Sequence, residues 1–205
     1  MFKRLIAKNF RKPEGLFGRY IIKHLKKNQT EYDELDPLLK LNKDDKVLEI
    51  GFGIGKGIYD FSQKYDCNFH GIDFSRLMYS KASRLNRDKI SSGKVVLHCT
   101  DFDDFCIGNN TFNCIYLLNV IYFWEDFQVR LVKIYSLLKQ DGKVIIFMAD
   151  SECFKDSKQA EGKDIFYIRS IYDVVSGMEE AGFKDIETTE HTTEKMCYYI
   201  TAFKR

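Results

Sequence analysis

Apolar residues along this chain fall into short runs separated by longer stretches of helical spacing. Val47-Leu48 with Ile50, Cys67 to Phe74, Val95 to Cys99, Phe112 to Asn119 and Lys143 to Met148 each have the length and β-branched or aromatic content of a buried strand. Between them the period changes. Leu77, Met78 and Ala82 recur as on a helix face, and from Glu125 to Lys139 the residues Phe127, Leu131, Ile134, Tyr135 and Leu138 form one apolar stripe, with Gly142 as its expected stop. Ser170-Ile171-Tyr172-Asp173 has the form of a capping box, opening a helix with Ile171, Val174, Val175 and Met178 that ends near Gly182. Phe183 to Thr189 and Lys195 to Phe203 close the chain as an expected strand hairpin. Strands alternating with helices predict an α/β fold with a mostly parallel sheet covered on both faces.

The first strand ends unusually. Val47-Leu48-Glu49-Ile50 runs into Gly51-Phe52-Gly53-Ile54-Gly55, where alternating glycines let the backbone turn sharply and approach a ligand that a Cβ would exclude. Glu49 is out of place in an apolar strand and well placed to accept donors from a ligand. A P-loop needs Gly-x-x-x-x-Gly-Lys-Ser/Thr, which does not occur. The dinucleotide pattern Gly-x-Gly-x-x-Gly fails too, because its third glycine falls on Lys56 or Ile58.

Three further strand ends carry polar residues. The second delivers Asp73 and Phe74, 22 residues after Gly51, where nucleotide folds place an acid for ribose hydroxyls. The third leads into Thr100-Asp101-Phe102-Asp103-Asp104, and the fourth delivers Asn119, followed by Tyr122. Ligands in open α/β sheets sit beyond the carboxyl ends of the strands, so the four ends meet in one crevice.

The ordered set Glu-x-Gly-x-Gly-x-Gly at 49–55, Asp73, Asp101-Phe102 and the strand ending at Asn119 resembles the class I S-adenosylmethionine-dependent methyltransferases over roughly residues 40–203. The resemblance implies a Rossmann-like three-layer α/β/α sandwich whose mostly parallel seven-stranded sheet has an antiparallel last strand. It also implies S-adenosylmethionine as cofactor and S-adenosylhomocysteine as product. Glu49, Gly51, Gly53 and Gly55 would hold the methionine part, Asp73 the ribose, and Asp101 with Phe102 the adenine, with Phe52, Phe74 and Asn119 also in the cofactor site.

Composition adds one asymmetry. Residues 1–30 hold nine Lys or Arg against the single acid Glu14, an excess of +8 in a chain of formal net charge +2, so the remainder sums to −6. The segment 1–40 reads as a basic helical arm or lid ahead of a methyltransferase domain at 41–205. Tyr20 would face the methyl donor by resemblance to small-molecule methyltransferases. Such an arm is compatible with an anionic membrane, with RNA or an acidic substrate, or with a solvated lid. A second irregular region, Ala149 to Tyr167, carries Phe154, Phe166 and Tyr167 and reads as a flap at the crevice edge. The six cysteines contain no Cys-x-x-Cys pair and read as reduced core residues of a cytoplasmic protein, and the four histidines form no metal-spaced cluster. No run has the length of a membrane span and no signal-peptide pattern appears.

Absences narrow the chemistry. With prolines only at 13 and 37, the Asp/Asn-Pro-Pro-Tyr/Phe motif of base amino methylation and the Pro-Cys nucleophile of pyrimidine C5 methylation are missing. Catechol-type and ribose 2′-O-methylating relatives place an Asp where Asn119 stands, so no metal is expected. The reading is a methyltransferase acting by in-line displacement on a small-molecule or lipid-like acceptor, with Tyr20, Tyr122 and His191 as candidate catalytic groups. Alternatives are an RNA-directed methyltransferase using the basic arm, and a non-catalytic cofactor-binding scaffold.

Overall fold

The computed structural model describes residues 29–155, 166–192 and 196–205. Tyr20, most of the basic arm and the centre of the flap lie outside the described residues. The chain runs through α1 (Gln29–Leu39), β1 (Lys46–Ile50), α2 (Lys56–Lys64), β2 (Asn68–Ile72), α3 (Arg76–Leu85) and the single turn α4 (Arg87–Ser91). It continues through β3 (Val95–His98), β4 (Phe112–Leu118), α5 (Phe127–Leu137), β5 (Leu138–Ala149), α6 (Ile171–Glu180), β6 (Lys184–Glu190) and β7 (Cys197–Phe203).

The strands form one seven-stranded sheet in the order β3-β2-β1-β4-β5-β7-β6. β1 pairs in parallel with β2 and β4, β2 with β3, and β4 with β5, whereas β7 lies antiparallel between β5 and β6. Strand order reverses beside β1, which places a topological switch point between β1 and β4. The sheet is covered on both faces, as its apolar strands require. On one face Leu35 and Leu39 of α1, Ile58 and Phe61 of α2, and Met78 and Ala82 of α3 cover Val47, Phe69, Tyr116 and Phe147. On the other, Phe127, Leu131 and Ile134 of α5 and Val174 and Met178 of α6 cover Leu48, Ile72, Ile115, Leu117 and Ile146.

Local chemistry sets several boundaries. The capping box at α6 is complete: Ser170 Oγ accepts from Asp173 N at 3.1 Å, and Asp173 Oδ2 accepts from Ser170 N at 3.1 Å. Gly142 is not a helix stop. α5 ends at Leu137 and the chain enters β5 at once, with Asp141 left-handed (φ 61°) and Asp141 N and Gly142 O both bonded to Lys204. The turn-like residues 139–142 therefore form an irregular start to β5, paired beyond the end of β7. The 1–40 segment also contributes to the core, since Leu35 and Leu39 are fully buried and Lys143 Nζ donates to Leu38 O at 2.9 Å, closing the end of α1. Cys67, Cys114 and Cys197 are buried as expected, but Cys99 and Cys106 are exposed in loops and Cys153 in a single 3-10 turn after β5, and all six are free thiols. Among the described residues no helix is long and apolar enough to cross a membrane.

Candidate active site

The turn after β1 is built by three left-handed glycines, Gly51 (φ 77°), Gly53 (φ 53°) and Gly55 (φ 75°). They have different reasons to be glycine. A Cβ at Gly51 would lie 2.4 Å from Val120 Cγ2, and one at Gly55 would lie 2.6 Å from Ala82 Cβ, so these two seat the turn against the loop after β4 and against α3. A Cβ at Gly53 would meet nothing within 4 Å. Gly53 therefore faces open space at the switch point, with its backbone free to approach a ligand. α2 begins directly at the turn, with Gly55 as an N-cap that offers no side chain.

Asp73 locks this turn to the end of β2. Its Oδ2 accepts from Gly53 N at 3.0 Å and its Oδ1 from Ser75 N at 2.8 Å, while its own N–H donates to His98 O at 3.1 Å. Ser75 is the cap of α3, through Met78 N at 3.4 Å, and this leaves Asp73 to the crevice. Burial raises the Asp73 carboxyl to about 6 against the lowering effect of its two backbone donors.

Glu49 is 1 % exposed. Tyr32 of α1 donates to its Oε1 at 2.8 Å and Tyr116 of β4 to its Oε2 at 3.1 Å. Burial raises this carboxyl to about 7; the two tyrosines and the Ile58 backbone at the start of α2 pull the other way, and Asp73 adds to the rise. Two carboxyls that folding makes costly to ionise thus flank a glycine turn that opens onto space. Such an arrangement suits a ligand carrying a cation and hydroxyl donors.

The remaining candidates divide. Phe52, 2 % exposed, is a core residue pressed against Gly71 of β2. Phe74 is half-buried beside Asp73. Asp101 is half-buried, and its Oδ1 accepts from Asp103 N at 3.1 Å, shaping the turn after β3. Phe102 is stacked on Trp124 (centroids 5.7 Å, 16° between planes), and Lys133 fixes its carbonyl at 2.6 Å, giving a rigid apolar floor next to that turn. Asn119 is left-handed (φ 58°) and half-buried, its N–H held by Phe147 O at 3.0 Å. The carboxyl ends of β1 to β4 therefore lie on one edge of the sheet, as their parallel pairing requires.

The catalytic candidates fare differently. Tyr122 is buried; its hydroxyl bonds both the N–H and, at 3.4 Å, the carbonyl of Ala149 at the end of β5, and burial pushes its ionisation upward. His191 is 4 % exposed, wedged near Phe147 (5.5 Å) and Tyr199 (6.2 Å), with Nε2 3.8 Å from Glu34 Oε1. It joins the β6–β7 hairpin to α1 inside the core. Arg169, outside the expected set, donates to four backbone carbonyls, those of Ile121, Tyr167, Trp124 and Glu125. Tyr122 and Arg169 thus hold the loops after β4 and β5 in shape. Sequence reading missed Tyr32 and Tyr116 as the partners of Glu49. The available signal was the Tyr32, Leu35, Leu39 spacing of a buried helix face.

A seven-stranded sheet of this order, with a glycine turn after β1 and an acid ending β2, defines a class I methyltransferase fold. Residues 47–142 match the methyltransferase-domain family profile. The chain thus has the class I methyltransferase fold and carries, over residues 47–142, a match to the methyltransferase domain. It is 27 % identical over 169 residues to phosphoethanolamine N-methyltransferase 2 of Caenorhabditis elegans, covering 78 % of this chain and 38 % of that protein. It is 29 % identical over 162 residues to phosphoethanolamine N-methyltransferase 1 of Triticum aestivum, covering 76 % and 32 %. The chain thus spans about a third of the length of these relatives. Its fold matches Haemonchus contortus phosphoethanolamine N-methyltransferase 2 in complex with S-adenosyl-L-methionine (TM-score 0.72, 19 % identity, 86 % of this chain and 52 % of that one). It also matches an S-adenosylmethionine-dependent methyltransferase of Aquifex aeolicus (TM-score 0.73, 16 % identity, 91 % and 98 %).

Proposed function

We propose that this protein transfers a methyl group from S-adenosylmethionine to the amine of a small phosphorylated amino alcohol, with phosphoethanolamine as the first acceptor to test. The observation that carries the cofactor half is the open face of Gly53 between the buried carboxyls of Glu49 and Asp73. Glu49 would take the cationic methionine end, Asp73 the ribose hydroxyls, and Asp101 with the Phe102 floor the adenine. The acceptor half rests on the phosphoethanolamine N-methyltransferases among its relatives and on the basic excess of residues 1–30, which favours approach of a phosphate.

The bound cofactor supplies an electrophilic methyl on a positively charged sulfur that is already a good leaving group. The acceptor's ammonium must lose its proton, to solvent in this reading, before the nitrogen attacks, and the chain's own task is to orient that amine at the methyl group. Tyr122 and Arg169 do so by fixing the loops after β4 and β5, and orientation of this kind is worth roughly 7–11 kcal/mol in favourable systems. The six free thiols support a cytoplasmic, reducing compartment.

The test is mass spectrometry of products after incubation with S-adenosylmethionine and, separately, phosphoethanolamine, its mono- and dimethyl forms, ethanolamine, phosphatidylethanolamine vesicles and RNA. Methylation of the phosphorylated free amines, with little on ethanolamine, is the expected result. Methylation of vesicles or RNA alone would replace the acceptor, and cofactor binding without turnover on any of them would favour the scaffold reading.

A further inference from the structure

The strongest observation that the function above does not use is the pair of tyrosines on Glu49. They come from different layers. Tyr116 sits on β4 directly opposite Glu49 in the parallel register, and its ring is fully buried. Tyr32 comes from α1, before the first strand, and reaches in over α2: a Cβ on Gly57 would lie 2.3 Å from its Cε1, so Gly57 is what admits the ring. Phe61 holds both rings, edge-on to Tyr32 at 5.9 Å and to Tyr116 at 5.9 Å. Each hydroxyl thus arrives on a clamped ring at a different oxygen of one carboxylate. Hydrogen bonds from clamped donors fix a carboxylate in rotation as well as in charge.

We propose that Tyr32 and Tyr116 are positioning residues that hold the Glu49 carboxylate ionised and aimed at the amino group of the cofactor's methionine end, so that α1 contributes to cofactor discrimination. This rests on the cofactor reading given above. Among the described residues the groups facing Glu49 are Tyr116 from β4, Tyr32 from α1, the Ile58 backbone from α2 and Asp73 from the end of β2; Glu31 and Asp60 face Tyr32. None is a cation. Among the described residues no basic side chain balances Glu49, which there depends on these neutral donors. A fit to a cation, rather than a permanent ion pair, is what a ligand site needs.

Removing only the hydroxyl tests this. Tyr32→Phe and Tyr116→Phe keep the rings against Phe61 and Gly57. Tyr65→Phe is the control, because the Tyr65 hydroxyl also ties α2 to α1, through Asp36 Oδ1 at 2.6 Å, without touching Glu49. Calorimetry would compare S-adenosylhomocysteine, which carries the amino group, with methylthioadenosine, which lacks it. Tyr32→Phe is expected to weaken S-adenosylhomocysteine about tenfold, or ~1.4 kcal/mol, and to move the pH midpoint of its binding upward. Methylthioadenosine should stay within about twofold, and Tyr65→Phe should change neither ratio nor midpoint. Equal weakening of both ligands, or no change in either, would overturn the proposal. A second measurement does not depend on the cofactor: carbon-13 NMR titration of Glu49 in the ligand-free protein. Both tyrosine variants should raise the Glu49 midpoint, and an unchanged midpoint would overturn the positioning role. If the wild type binds neither ligand while the NMR shifts appear, the cofactor reading fails and the clamp on Glu49 stands.

Discussion

The two sides of the crevice are built on opposite plans. On the β1–β2 side two carboxyls accept only from neutral donors, with no cation beside them among the described residues, and a glycine is open to space, so charge rather than hydrogen bonding is left for a ligand to balance. On the β4–β5 side almost every polar candidate is already occupied: Tyr122 by Ala149, Arg169 by four carbonyls, His191 by the core between the hairpin and α1. The first side has the build proposed above for the cofactor site. The second is a scaffold that shapes loops. For a displacement whose leaving group is built into the donor, the β4–β5 side has to orient the acceptor, while the acceptor ammonium gives up its proton to solvent before its nitrogen attacks.

Breaking the demanding side should have the largest effect. Asp73→Ala removes the acceptor of Gly53 N and Ser75 N together with the ribose partner, and calorimetry should show S-adenosylhomocysteine binding weakened about 100-fold, near 2.7 kcal/mol. The glycines sharpen the same contrast. Gly53→Ala should cost only about 1–2 kcal/mol of stability, from its left-handed backbone, yet lower cofactor affinity tenfold or more, because its Cβ fills the open face. Gly51→Ala should mainly destabilise, visible as a lower melting temperature, because its Cβ collides with Val120.

The scaffold side should respond in stability and little in chemistry. Tyr122→Phe is expected to cost about 1 kcal/mol through the lost bond to Ala149, with kcat within about threefold of wild type once the protein is folded. A kcat loss of a hundredfold with unchanged stability would make Tyr122 a reacting group and erase the contrast.

The smallest effect is in pH. Glu49 and Asp73 are raised by folding, so their contribution to ligand-free stability is full below their ordinary values of 4.5 and 3.8 and is lost as pH rises through about 7 and about 6. His70, stacked on His98 between β2 and β3, is pushed down to about 4 by burial and acts in the other direction, its contribution being lost as pH falls from 6.5 towards 4. Ligand-free melting temperature should therefore peak in mildly acidic buffer. Cofactor affinity should instead rise several-fold from about pH 5.5 to about pH 8, because binding favours the ionised carboxyls.

Much of the demanding side was legible from the chain because it is local: the glycine turn, Asp73 and the strand that carries them lie within one βαβ segment, and strand, turn and cap chemistry act over a few residues. What stayed hidden was long-range. Tyr32 lies 17 residues before Glu49 in a helix with Pro37 in its last turn, behind a basic stretch that made the whole segment read as an arm. Tyr116 reads as one more apolar strand residue, and only the β1–β4 register puts it opposite Glu49. The scaffold side misled for a related reason: Tyr and His are reactive types, but whether they pack into the fold depends on where the Ala149 backbone and the Glu34 side chain arrive. Likewise the Lys139 to Gly142 turn signal was overridden by pairing of β5 with the chain end at Lys204.

The most direct test of the central claim is calorimetric titration of the folded protein with S-adenosylhomocysteine at about pH 8. The account predicts one site per chain with micromolar affinity, about −8 kcal/mol, lost in Asp73→Ala. Absence of binding by a cooperatively folded protein would mean that the glycine turn and its two carboxyls serve the fold or another ligand, and would contradict the account.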